Sequence, residues 1–200
     1  MTHLTRARHS DRVLIATTPR LKIRFWTLED APAALDILGR VEVVRWLGDG
    51  APVLTKNLDE AREKVERWRA RENPPLGHWA IEVTDGGPVH GRVIGTVLLL
   101  TLPNSEHDEV EIGWHLHPDA WGHGYAPEAA RAVLERGFSG GLPEIHAVTH
   151  LTNEKSVRVC EKLGMEHLGI THSWYAEPSQ HFRITQEQWA DSAGQASSRR

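Results

Sequence analysis

A chain of 200 residues is long enough for one domain with a substantial hydrophobic core. A net charge of −4 and the lack of a basic stripe argue against a nucleic-acid-binding module or a surface for anionic membranes. The longest apolar run, residues 93–102, is too short to span a bilayer, and the opening residues lack the apolar block of a secretory signal. Cys160 is the single cysteine, so no intrachain disulfide forms and a reducing, cytoplasmic setting is expected.

Residues 1–18 lack periodicity and read as a flexible tail, as do residues 191–200, rich in Ser, Gly and Ala. Between them, residues 19–190 read as one domain without internal repeat or linker. Residues 21–25 alternate like a strand. Thr27 then caps a helix through residue 38, with Asp30 three positions on as the acid of a capping box. Residues 41–47 form a short helix ending near Gly48, and residues 58–71 a charged helix with apolar points at Leu58, Ala61, Val65 and Trp68. Strands follow at 78–84 and 93–102, around the turn region Asp85-Gly86-Gly87. Residues 109–117 alternate polar and apolar, a glycine-rich turn spans 121–126, and helix formers fill 127–136. A strand at 144–149, a helix at 153–163 and strands at 167–174 and 180–184 complete an α+β order. A mostly antiparallel sheet with one central βαβ unit is predicted.

The turn Trp121-Gly122-His123-Gly124-Tyr125-Ala126 is the most telling segment. A glycine turn between a strand and a helix offers unpaired N–H groups to an anion, and the helix dipole reinforces them. Pro127 fits, because a first-turn residue has no intrahelical use for its N–H. The expected ligand is a phosphate.

Three segments occur in order: Glu111-Ile112-Gly113-Trp114-His115-Leu116-His117-Pro118, then 121–126, then Asn153-Glu154-Lys155-Ser156 closing in Glu161-Lys162-Leu163-Gly164-Met165. Together they resemble the GNAT acyltransferase superfamily, and most closely its branch of ribosomal-protein alanine N-acetyltransferases. The likeness runs over residues 19–189 and includes Pro19-Arg20-Leu21 and Trp26-Thr27-Leu28-Glu29-Asp30. It implies a central sheet splayed between its fourth and fifth strands, here 109–117 and 144–149, with flanking helices. It also implies acetyl-CoA as donor, its pantetheine arm inserted in the splay like a missing strand. The pyrophosphate would rest on Gly122, His123, Gly124, Tyr125 and Ala126. Trp121, where the family often has Arg or Gln, would flank it.

Acetyl transfer needs a neutral amine, a donor for the thioester oxygen and a proton for the departing thiolate. The resemblance assigns the amine proton to Glu111, whose plain alternative is an exposed or ion-paired strand glutamate. A strand amide around Leu116 would hold the oxygen. Where many relatives carry a tyrosine acid, this chain has Cys160, and a lone helical cysteine is most often a small buried apolar residue; Ser156, which matches a serine that the resembled branch uses near the CoA sulfur, is preferred for the thiolate. Asn153 reads as a CoA contact, a helix cap, or both. His115, His117, His123 and Asp119 superficially suggest a metal, but none is expected; His115 or His117 fits a solvent-side or substrate-contacting role better. Trp46 and Trp68 fall in the helical region that walls the acceptor pocket in the family.

The resulting expectation is an acetyl-CoA-dependent N-acetyltransferase acting on a primary amine, either a protein N-terminus or a small molecule, by direct attack in a ternary complex. Its rival is a degenerate member that binds acyl-CoA without turnover, as a sensor or partner subunit. A homodimer joined through the 174–184 hairpin edge is a further expectation.

Overall fold

The computed structural model describes residues 14–71 and 73–197. Eight strands are present: β1 (Leu14–Thr17), β2 (Leu21–Phe25), β3 (Gly77–Val83), β4 (Val93–Thr101), β5 (Val110–Leu116), β6 (Glu144–His150), β7 (Glu166–Thr171) and β8 (Ser179–Thr185). They form one sheet in the order β1-β2-β3-β4-β5-β6-β8-β7. Every neighbouring pair is antiparallel except β5 and β6, which α4 (Tyr125–Ser139) connects as a crossover. The α+β order with one central βαβ unit is therefore the observed architecture.

The helices cover both faces of the sheet. On one face, Ala129, Ala130, Val133 and Leu134 of α4 pack on Ile23, Ile81, Val97, Leu99, Ile112 and Ile145, in the same core as Cys160 and Leu163 of α5 (Glu154–Leu163). On the other, α1 (Ala31–Leu38), α2 (Val41–Val44) and α3 (Leu58–Ala70) bury Ala34, Ile37, Val43, Val44, Ala61 and Val65 with Trp26 and Ala80. A capping box at Thr27 and Asp30 starts the α1 segment, as the three-residue spacing predicts. Buried Arg24 reinforces it: its guanidinium pairs with Asp30 at 2.7 Å and its Nε with Glu82 at 2.7 Å. That pairing holds the Asp30 carboxyl below its ordinary range against the opposing effect of burial.

Three expectations change. The N-terminal tail ends earlier than residue 18, because Leu14–Thr17 adds a strand to the outer edge of β2; residues 1–13 lie outside the described residues. This strand has little alternation of its own and owes its form to pairing with β2. The strands expected as fourth and fifth are consequently β5 and β6. The C-terminal tail is likewise shortened, because α6 (Gln186–Ser197) continues past residue 190. Trp189 anchors that helix, donating to Glu135 Oε2 at 2.8 Å and packing on Phe138. Residues 198–200 lie outside the described residues. Finally, β8 is paired on both sides, by β6 and β7, so the strand within residues 174–184 lies inside the sheet, and the free edge at this end belongs to β7.

Candidate active site

β4 and β5 stay paired from Gly95 opposite Leu116 to Thr101 opposite Val110, and β6 and β8 from Glu144 opposite Thr185 to His150 opposite Ser179. Between β5 and β6 the register holds only at Glu111 and His146. Beyond that point the two strands part. Diverging strands leave backbone N–H and C=O groups unpaired, which is what an extended ligand needs in order to pair as an extra strand. The gap opens into a cavity of about 790 Å³. Its walls include residues 111–116 of β5, residues 147–150 of β6, the starts of α4 and α5, Trp46 and Asp49 after α2, Lys64 and Trp68 of α3, and Tyr175 between β7 and β8.

The glycine turn forms the mouth at the start of α4. Gly122 has φ of +82° and Gly124, the N-cap of α4, φ of +80°, a left-handed backbone that favours glycine. Tyr125 and Ala126 then open the first helical turn, where N–H groups have no intrahelical acceptor. Trp121, Gly122, Gly124, Tyr125 and Ala126 all line the cavity, whereas the His123 side chain stacks on Tyr125 beside it. Arg20 braces the turn from the sheet. Its Nη1 donates to the His123 carbonyl at 2.9 Å, its Nη2 meets Glu128 at 2.6 Å, and its guanidinium lies 4.8 Å from the centre of the Tyr125 ring. Tyr125 in turn donates to Asp85 at 2.6 Å. Trp121 donates its indole N–H to the Leu116 carbonyl at 2.9 Å, fastening the turn to the end of β5.

Asn153 caps α5, its Oδ1 accepting from the Ser156 N–H at 3.3 Å, and both residues line the cavity. Lys155, Arg158 and Lys162 add positive charge on the same side, with Lys155 Nζ 3.8 Å from the centre of the Trp121 ring. Cys160 points the other way. It is fully buried among core residues, and burial pushes its thiol up to about 12.

Glu111 faces the cavity beside the last paired point of β5 and β6. Burial raises its carboxyl from an ordinary 4.5 to about 7, partly offset by Tyr175, whose hydroxyl donates to Glu111 Oε1 at 2.7 Å. A group half-ionised near neutrality is well matched to accepting a proton. The residue types alone gave no reason to link Tyr175 to Glu111. A usable signal did exist: the chain has only two tyrosines, and the other, Tyr125, belongs to the glycine turn.

The sequence-selected residues Glu111, Leu116, Trp121, Gly122, Gly124, Tyr125, Ala126, Asn153 and Ser156 thus surround one cavity, together with Trp46 and Trp68. His115 lies under Trp68 within it. His117 turns away, with Nδ1 accepting from the Asp119 N–H at 3.1 Å and Nε2 lying 3.2 Å from Asp36. Lys64 and His78 also line the cavity, and nothing in their local sequence marked them.

Known proteins resemble this chain in sequence or in fold. The N-acetyltransferase YoaA of Bacillus subtilis (strain 168), whose function is uncharacterized, is 30% identical over 162 residues, 80% of this chain and 87% of that protein. The structure of Mycobacterium smegmatis RimJ in complex with CoA-disulfide superposes with a TM-score of 0.69 at 17% identity, covering 84% of this chain and 83% of that one. The ribosomal-protein-S5-alanine acetyltransferase of Vibrio fischeri gives 0.68 at 16% identity, covering 88% and 98%. No helix among the described residues is long and apolar enough to cross a membrane. Residues 20–166 match the family described as the acetyltransferase (GNAT) domain, and with the strands parted beside a glycine turn at a helix start, the chain belongs to the GNAT N-acetyltransferases.

Proposed function

We propose that the chain transfers the acetyl group of acetyl-CoA directly to a primary amine in a ternary complex, with Glu111 as the base. The observation that carries this reading is a carboxyl poised at about 7 where β5 and β6 separate. Pantetheine pairs with the freed edge of β5, and the pyrophosphate takes the N–H groups of residues 122–126, with Lys155, Arg158 and Lys162 available to its phosphates. Glu111 takes one proton from the ammonium, and the neutral nitrogen attacks the thioester carbon. A β5 amide on the freed edge between Glu111 and Leu116 stabilises the oxygen as it gains charge. As the C–S bond breaks, the second proton leaves nitrogen and reaches the thiolate by way of the Ser156 hydroxyl. The test is acetyl-CoA-dependent thiol release across a panel of primary amines: an N-terminal peptide, an aminoglycoside, a polyamine and amino acids. Acetyl-CoA binding without release on any amine would favour the rival sensor reading.

Two variants separate the proton donors. Ser156→Ala is expected to lower turnover by about tenfold or more, at or just under the usual range of general acid–base effects. Cys160→Ala should keep most activity, since its thiol is buried, poorly acidic and outside the cavity lining. Rapid alkylation of Cys160 that acetyl-CoA prevents would reverse that assignment.

Tyr175→Phe tests the tuning of the base. The phenol hydrogen bond favours the carboxylate, so its loss should raise the Glu111 pKa further above 7. The acidic limb of the kcat/KM profile then moves to higher pH, activity at pH 7 falls, and alkaline buffer restores much of it. A limb that stays in place would mean that Glu111 is not the titrating group.

A further inference from the structure

We propose that the acceptor amine carries an anionic oxygen group, a carboxylate or a phosphate, which docks in the corner of the cavity formed by Lys64, His78, His115 and Trp68. The proposal rests on the acetyl-transfer reading and adds a substrate class to it.

The corner is assembled from three elements. Residues paired across neighbouring strands share a face of the sheet. His78 pairs with Leu98 and Leu98 with Gly113, while His115 pairs with Thr96. Glu111, Gly113 and His115 alternate along β5, so both histidines stand on the face that carries Glu111. Trp68 of α3 covers them, stacking on His78 with ring centres 5.9 Å apart and tilting against His115 at 6.3 Å. Lys64 lies one turn before Trp68, which brings its side chain to the same side of α3.

The polar groups of this corner lack protein partners. His78 is only 7% exposed, lines the cavity, and has its Nδ1 buried without a hydrogen bond; His115 Nε2 is in the same condition. Native proteins seldom leave buried polar atoms unbonded, so such atoms at a cavity wall are open to a bound ligand or an ordered water that a ligand displaces. The neighbouring charge is positive. Burial lowers the histidines to about 4 and about 3, with Arg71 disfavouring the proton on His78 and Lys64 that on His115. Among the described residues no carboxylate forms an ion pair with Lys64, whose ammonium burial and Arg67 disfavour and Glu60 favours only at longer range. Glu60, one turn earlier, instead accepts from the Lys56 N–H at 2.8 Å and from Asn57 at 3.3 Å.

Acidic groups collect at the opposite end. Asp49 accepts from the Ala176 N–H at 3.0 Å, fastening the loop that carries Tyr175 beside Glu111, and Glu177 is exposed at the rim. The cavity is therefore polarised, carboxylates toward the amine end and an ammonium with neutral imidazoles toward the other. Along β5 the two ends lie roughly 7 to 13 Å apart, at about 3.3 Å per residue. A short molecule with an amine at one end and an anion at the other complements both. A polyamine would set a second cation against Lys64.

The test compares kcat/KM for 4-aminobutyrate, 2-aminoethyl phosphate, butylamine and 1,4-diaminobutane with acetyl-CoA, in the unmodified protein and in Lys64→Met. The anionic amines are expected to exceed butylamine by at least about tenfold, with the diamine poorest. In Lys64→Met the ratio of anionic amine to butylamine should fall toward one, through KM. The two anionic acceptors tell carboxylate from phosphate. A readout independent of turnover is imidazole NMR during titration with glutarate or inorganic phosphate in the presence of CoA. The His78 and His115 signals should shift saturably, and Lys64→Met, shown folded by its thermal melt, should lose the response. Acetylation without charge preference and without histidine shifts overturns the proposal and leaves acetyl transfer standing. Saturable shifts with no amine acetylated would support the anion site and instead count against acetyl transfer.

Discussion

Glu111→Gln is expected to lower turnover by about ten- to a thousand-fold, around the usual range for a general base. The amide keeps the shape of the side chain and can still accept from Tyr175, which donates at 2.7 Å, but it cannot take a proton. Below pH 7 the natural Glu111 is mostly protonated, so kcat/KM should rise with pH through about 7 and then level off; the variant should lack this limb. Affinity for acetyl-CoA should barely change, because Glu111 lies away from the glycine turn. Stability gives a control. Burial raises the folded-state pKa above the ordinary 4.5, so ionising Glu111 costs stability as pH rises through about 7. The Gln variant should therefore melt no lower than the natural protein at pH 8. Near-normal turnover without a changed pH profile would reassign Glu111 to structure.

Gly124→Val should weaken acetyl-CoA binding by at least about tenfold, about 1.4 kcal/mol. The backbone at Gly124 has φ of +80°, which a β-branched residue resists, and an added Cβ would already meet Arg20 Nη2 at 3.5 Å. Relief of that strain would rotate the N–H groups at the start of α4 away from the phosphates and disturb the Arg20 brace. The strain itself is of order 1–2 kcal/mol, small against an ordinary domain stability of about 5–15 kcal/mol, so the domain should stay folded. Calorimetric titration alongside a thermal melt separates the two effects. Unchanged affinity in a folded variant would remove the glycine turn from the binding site.

Much of the framework could be read locally. The capping box at Thr27 and Asp30 depends on three-residue spacing, and the start of α5 on an Asn whose side chain reaches the third residue on. The glycine turn needs only Gly122 and Gly124 between an alternating strand and a run of helix formers. β1 was harder, because a four-residue edge strand has too short a pattern to stand out from a tail and forms through its partner. The same limit hid Tyr175, which lies 64 residues from Glu111.

By itself the sequence determined the order of elements from β2 to β8, the parting of strands at Glu111 through its likeness to the family, and the glycine turn, since periodicity, caps and positive-φ glycines act over a few residues. Only the tertiary structure decided which distant groups meet at the cavity and behind the glycine turn. Arg20 behind the turn, Tyr175 on Glu111, and Lys64 with His78 and His115 under Trp68 each come from distant segments. Burial set their character as well: Glu111 rises to about 7 and His78 falls to about 4 because folding removes them from water, a solvation effect that no local pattern of residues encodes.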